Sequence, residues 1–236
     1  NMGQDGTRET DGHSGDGNPS PQQLGIFMKT VIFWFRNDLR LVDNPALLRA
    51  VREADEVVPV YIFDDRTWSE ERASTRRRKF QAESLADLRS ELERRGGALL
   101  IQSGAPREVL RALAEEHGAE AVFATKEHTT EEVEREEEVA SDLVLHLEEA
   151  LTLLHPDDLP FALEQLPDVF TRFRNKVEKD WVICETVGAP EAVVVPEGMT
   201  STAWSVSDVP EDPRGVLPFK GGAAAAHARL QHYFWE

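Results

Sequence analysis

The amino-acid sequence predicts a Rossmann-like α/β fold: a five-stranded parallel sheet flanked by helices, with an irregular C-terminal segment wrapped around it. Two observations lead there. Short β-branched and aromatic runs alternate with stretches of helical periodicity, the pattern of a parallel sheet covered on both faces. Glycines that stop helices and prolines that start them separate these runs at the spacing of strand–helix–strand units.

Each element has its own local reason. Thr30-Val31-Ile32-Phe33-Trp34-Phe35 is a continuous apolar run, as in a strand buried on both faces. Asp43-Asn44-Pro45 opens a helix whose apolar side is Ala46, Leu47, Ala50 and Val51. Val57–Phe63 is the second strand, with Pro59 near its start. Asp64 and Asp65 end it and lead through Arg66 and Trp68 to a long helix, with Phe80, Ser84, Leu85, Leu88 and Leu92 at helical spacing and Gly96-Gly97 as the stop. Ala98–Gln102 is strand three, and Ser103–Pro106 starts a helix through Val109, Leu110 and Leu113 that Gly118 ends. Ala121–Ala124 is strand four, and Thr129 with Glu132 reads as a capping box for the next helix. The fifth strand falls on Leu143–Leu147 or on Leu151–Leu154. From His155 the chain is punctuated by proline, with helical pieces around Val169–Lys179 and Ala223–Tyr233. The organisation expected is therefore a disordered tail over 1–27, an α/β domain over 28–155 and a wrapping segment over 156–236.

Composition narrows the function. The 26 Lys+Arg and 44 Asp+Glu leave a net charge of −18, a field that repels phosphate backbones and argues against strong nucleic-acid binding by the chain alone. The single cysteine, Cys184, permits no internal disulfide and no Cys-based zinc site. No apolar run approaches a membrane span, and the N-terminus carries no signal pattern, so the expectation is a soluble, cytoplasmic protein.

Open parallel sheets bind ligands at the carboxyl ends of their strands. The loops at that edge are Arg36–Asn44, Asp64–Ser74, Ser103–Pro106 and Thr125–Thr130, and the first lacks the glycine-rich phosphate cradle of dinucleotide folds. Arg36, Asp38 and Arg40 either clamp a ligand there or pair among themselves and their neighbours. Glu127, directly after strand four, is either a ligand acceptor or a solvated residue opening an acid-rich helix. Arg76-Arg77-Arg78-Lys79 either touches phosphate or is the solvated start of a helix, and His155 with Asp157 and Asp158 reads as a structural turn.

Trp34-Phe35-Arg36-Asn37-Asp38-Leu39-Arg40-Leu41, followed by Asp43-Asn44-Pro45-Ala46-Leu47, resembles the opening signature of the cryptochrome/photolyase family. Arg77–Phe80, Glu83-Ser84-Leu85, Gly96-Gly97 and Gly104-Ala105-Pro106 are similar to its next landmarks, in order. His155-Pro156-Asp157-Asp158-Leu159-Pro160-Phe161, Leu166–Glu178 and Leu217–Gly222 leading into Leu230–Trp235 resemble the DASH-type cryptochromes. Two departures stand out: the aromatic-glycine step usual before the His-Pro-Asp-Asp motif is absent, and Ala223 follows Gly221-Gly222 where the family usually has an acidic residue.

The resemblance implies a lineage of light-dependent DNA repair or blue-light sensing. It implies an antenna chromophore on the α/β domain (folate, deazaflavin or flavin), with Glu127 aligned to the folate-contacting carboxylate. It places the FAD site, and with it photorepair, in a helical domain beyond this sequence. Residues 155–236 are then expected to form an apolar contact surface, either for self-association or for a helical flavin-binding domain or subunit, with Phe234 and Trp235 at the contact. The rival readings are a stand-alone nucleotide-binding α/β module and a pure docking module for a separate flavoprotein subunit.

Overall fold

The computed structural model describes residues 28–64, 66, 68, 74–180, 184–206 and 219–235. The tail expected over 1–27 lies outside them.

Strands β1 (Thr30–Phe35), β2 (Glu56–Phe63), β3 (Leu100–Ser103), β4 (Val122–Thr125) and β5 (Leu145–Glu148) form one parallel sheet in the order β3-β2-β1-β4-β5. β1 is central and every one of its residues is buried, because helices cover both faces. Its alternate side chains feed two cores. Val31, Phe33 and Phe35 pack with Leu47 of α1 (Pro45–Glu53) and with Leu85, Leu88 and Leu92 of α2 (Thr75–Glu93). Ile32 and Trp34 pack on the other side with Leu110 and Leu113 of α3 (Pro106–His117) and Val139 of α4 (Thr130–Ala140).

Local chemistry sets the boundaries. Asn44 caps α1 by accepting from the Leu47 N–H at 3.0 Å, with Pro45 in the first turn. Gly118 ends α3 in the left-handed conformation at φ 64°, which costs glycine little. Pro59 sits inside the sheet opposite Phe33. Alternate residues of a parallel strand turn their backbone groups to opposite neighbours. Val57 donates to Val194 O and Phe63 accepts from Gly104 N, so Pro59 also faces the β3 side. Pairing with β3 begins only at Val60–Leu100, so the missing N–H falls ahead of the ladder.

Three expectations are corrected. The fifth strand lies at Leu145–Glu148, within reach of the first candidate and not at Leu151–Leu154. Thr129 is the N-cap of α4, but its side chain makes no cap hydrogen bond; the Glu132 carboxylate turns instead to Arg135 at 3.6 Å. Phe80 shares the helical spacing of α2 yet is half exposed, since the buried face runs through Ala82, Leu85, Leu88 and Leu92.

Beyond β5 come two short 3-10 turns, α5 (Phe170–Asp180), an extended stretch over 184–206 and α6 (Ala223–Trp235). The extended stretch does the wrapping. Val193 enters the first core and donates its N–H to Arg95 O, while Val187 O accepts from Asp43 N. Ser201 and Thr202 then cover the outer edge of β3: Leu99 N–H donates to Ser201 Oγ at 3.1 Å and Ile101 N–H to Thr202 Oγ1 at 2.9 Å. Side-chain hydroxyls thus satisfy an edge that would otherwise present unpaired donors. The Thr202→Val variant keeps the shape and removes the acceptor, leaving the Ile101 N–H without its partner. A loss of about 1–3 kcal/mol is expected in urea unfolding; an unchanged midpoint would mean that water replaces the hydroxyl.

Candidate functional site

Chain order reverses between β1 and β4, so the connections that leave their carboxyl ends run to opposite faces of the sheet, to α1 and to α4, and leave a crevice, the usual ligand position in an open α/β sheet. A cavity of about 90 Å³, open to solvent, lies there. Its walls come from the ends of β1 and β2, from Glu127 after β4, from Arg77 and Gln81 of α2, and from Glu132 and Arg135 of α4. Trp34 and Trp68 supply aromatic surface.

The floor is a buried ionic cluster. Arg36 follows the buried strand β1 directly, so its guanidinium emerges where water is scarce, 8% exposed. It lies 4.5 Å over the Trp34 ring, an arrangement that attracts a cation to the ring face. Glu127 meets it at 3.0 Å, and Glu136 meets it from the other side while also accepting from the Glu127 N–H at 2.9 Å. Asn37 donates to the remaining Glu127 oxygen at 2.7 Å. Beside this group, Arg135 donates to Asp64 at 2.6 Å. Burial opposes ionisation of Asp64, but hydrogen bonds from Arg66 and Arg135 outweigh it and hold the carboxyl below its ordinary range.

The four residues singled out in the sequence divide. Arg36 and Glu127 line the cavity and touch each other. Asp38 and Arg40 do not line it. Asp38 is buried beneath the loop, accepting from the Arg36 N–H at 3.0 Å, from Asn44 Nδ2 at 3.0 Å and from Thr125 Oγ1 at 2.6 Å. Arg40 turns away to the carbonyls of Asp43 and Ala150. Glu127 is not solvated, being 4% exposed. Glu136, Arg135 and Asp64 were not anticipated. The signal was available: Glu132, Arg135, Glu136 and Val139 share one face of α4, and Arg135 is the lone cation in that acidic run.

Elsewhere, the His155 imidazole accepts from the Asp157 N–H, closing the turn that begins at Pro156. No group of His, Cys, Asp or Glu among the described residues is arranged to hold a metal ion. A second, apolar groove of about 710 Å³ runs between α5 and the segment after β5, lined by Leu153, Leu154, Leu159, Leu166, Phe170 and Phe173. Lys126 and His128 stand at its rim, both paired with Glu149. Glu127, between them in sequence, lines the ionic cavity instead.

Burial pushes the Glu127 carboxyl above its ordinary value, more than Arg36 and the Asn37 hydrogen bond pull it down. A carboxyl raised on folding contributes stability that is full below the unfolded value, near 4.3, and is lost as pH rises through the folded value. The Glu127→Gln variant has no such proton to lose. Its stability against urea, relative to the parent, is expected to rise as pH is taken from about 4 to 8. A pH-independent difference would place Glu127 at its ordinary value.

The sequence profile of the DNA photolyase family matches residues 31–193. The chain is 40% identical over 225 residues to a cryptochrome DASH of Natronomonas pharaonis, covering 89% of this chain and 48% of that protein. It superposes on the crystal structure of the Synechocystis sp. PCC6803 cryptochrome with a TM-score of 0.78 at 34% identity, over 88% of this chain and 46% of that one. A bacterial class III photolyase from Agrobacterium tumefaciens gives a TM-score of 0.76 at 26% identity, over 91% and 46%. The chain thus spans about half the length of the relatives it matches. The parallel order β3-β2-β1-β4-β5, the Arg36 loop that ends its central strand and the profile match over most of the α/β portion agree: this chain belongs to the DNA photolyase family, among its cryptochrome DASH relatives.

Proposed function

We propose that the chain acts as an antenna-type α/β domain of a DASH-like cryptochrome/photolyase-related protein: it seats a light-absorbing chromophore (a folate, deazaflavin or flavin) at the crevice between β1 and β4, and works with a helical FAD-binding domain or subunit in light-dependent DNA repair or blue-light sensing. The observation that carries the reading is the convergence of buried charged groups and aromatic rings at the reversal point of the sheet. Glu127 and Asn37 offer an acceptor and a donor side by side, the pairing suited to the polar edge of a heteroaromatic ring. Trp68, which is only partly buried, offers a ring surface; the Trp34 ring is already covered by Arg36. A cavity of about 90 Å³ takes the edge of such a ring, while the remainder of the ligand lies across the open mouth.

A partner surface fits the same reading. Phe170, Leu163 and Leu166 around α5, and Leu230, Phe234 and Trp235 of α6, are large apolar side chains more than half exposed. Patches of this kind are rare on surfaces that face only water. A helical domain docked on them covers both the α5 groove and the outer side of α6; in its absence the same surfaces drive self-association.

The test has two arms. Purified chain is dialysed against a reduced folate, a deazaflavin and FMN in turn, with bound ligand read by absorbance. One of them is expected to bind, and Glu127→Ala is expected to weaken it by about tenfold, the worth of a hydrogen bond to a charged group. Failure of all three to bind removes the antenna role. In the second arm, sedimentation velocity over a wide concentration range is expected to show association that Phe170→Asp and Trp235→Asp abolish. A concentration-independent monomer with Phe234 and Trp235 open to a quencher, and with no affinity for a relative's helical half, removes the docking role.

A further inference from the structure

We infer that Gly221 and Gly222 act as a latch that positions the α2 wall of the cleft: their backbone grips the turn of α2 that carries Gln81 and so sets where Gln81 and Arg77 stand. Arg77 and Gln81 are the α2 residues at the cavity, and Gln81 Nε2 donates to Tyr61 Oη at 3.0 Å. The core holds α2 by Ala82, Leu85, Leu88 and Leu92, so the turns before Gln81 lie outside that anchorage, with Arg77 and Phe80 exposed.

A second hold on α2 comes from far along the chain. Gly221 N–H donates to Glu83 Oε2 at 2.8 Å, Gly222 N–H to Ser84 Oγ at 3.0 Å, and Ala224 N–H to Asp87 Oδ2 at 3.2 Å. Ser84 Oγ in turn donates to Phe80 O at 2.8 Å, carrying the contact back across the turn that contains Gln81. The approach is too close for any side chain. A Cβ on Gly221 would collide with Phe80 O and come within 2.6 Å of Ser84 Oγ and 2.9 Å of Ser84 N. At Gly222, with φ +101°, a Cβ would stand 2.7 Å from Asp87 Cβ. Packing of α6 does not demand this closeness, since none of its residues is buried. The demand belongs to the contact with α2. Through it, a force on α6 bears on the cleft wall.

The test is Gly221→Ala in the whole chain, read by NMR of the Gln81 side-chain carboxamide and by hydrogen exchange of the amides over 78–84. The Gln81 signals are expected to shift, with exchange over 78–84 faster by about tenfold, while the Gln102 carboxamide on β3 stays in place. Should this variant fail to fold, Ser84→Ala, which deletes only the hydroxyl relay, carries the same test with a smaller change in the same direction. Unmoved Gln81 signals and unchanged exchange in a folded variant overturn the latch, even where the melting temperature falls, because a contact that only adds stability lowers that temperature without displacing Gln81. The inference rests on the antenna reading only for its last readout, weaker binding of whichever chromophore the parent chain binds. Movement of Gln81 in a chain that binds none of the three chromophores would sink the antenna reading and leave the latch standing.

Discussion

A guanidinium held away from water must be neutralised where it lies, and much of the cleft follows from that requirement at Arg36. Leaving either partner of a buried pair alone costs about 3–5 kcal/mol, so its counter-charges are fixed to it. One comes from the end of β4 and one from the middle of α4, and the second also accepts from the backbone of the first. The ion cluster therefore fastens three separate stretches of chain at the point where the sheet reverses direction. Asp38 performs the same service one layer down, joining the loop after β1 to the cap of α1 and to Thr125.

Two buried carboxylates on one guanidinium also leave the cluster short of positive charge. The Glu127 carboxyl stands above its ordinary value because of burial, which outweighs the pull of Arg36 and of the Asn37 hydrogen bond. Both of its oxygens already have a donor, one from Arg36 and one from Asn37.

The strands and the first helices were legible because burial on both faces writes itself as unbroken apolar runs, as in Thr30–Phe35 and Val57–Phe63. β5 was harder: its residues are half-buried at the sheet's edge, and Leu145-His146-Leu147-Glu148 carries a weaker pattern than a central strand. Phe80 misled because helical spacing reports a shared face without saying which face is inward. At the site, Arg36 could be named because it follows the end of β1, where side chains gather, and Glu127 because the family resemblance and its place just beyond β4 point to the same residue. Glu136 could not, since an acid-rich helix looks solvated unless Arg135 is recognised as the cation around which its inner face is built.

The hydroxyl cover on β3 carries a consequence for how the protein is made. Leu99 waits for Ser201, 102 residues later in the chain, before its outward N–H is satisfied. At a synthesis rate of roughly 5–20 residues per second, that edge stays open for about 5–20 s after β3 has left the ribosome. During that interval the nascent sheet presents unpaired donors, and any extended segment at hand can add to it. The wrapping stretch thus sets the length of a vulnerable period in biogenesis, and a shorter path to Ser201 would narrow it without altering the finished fold.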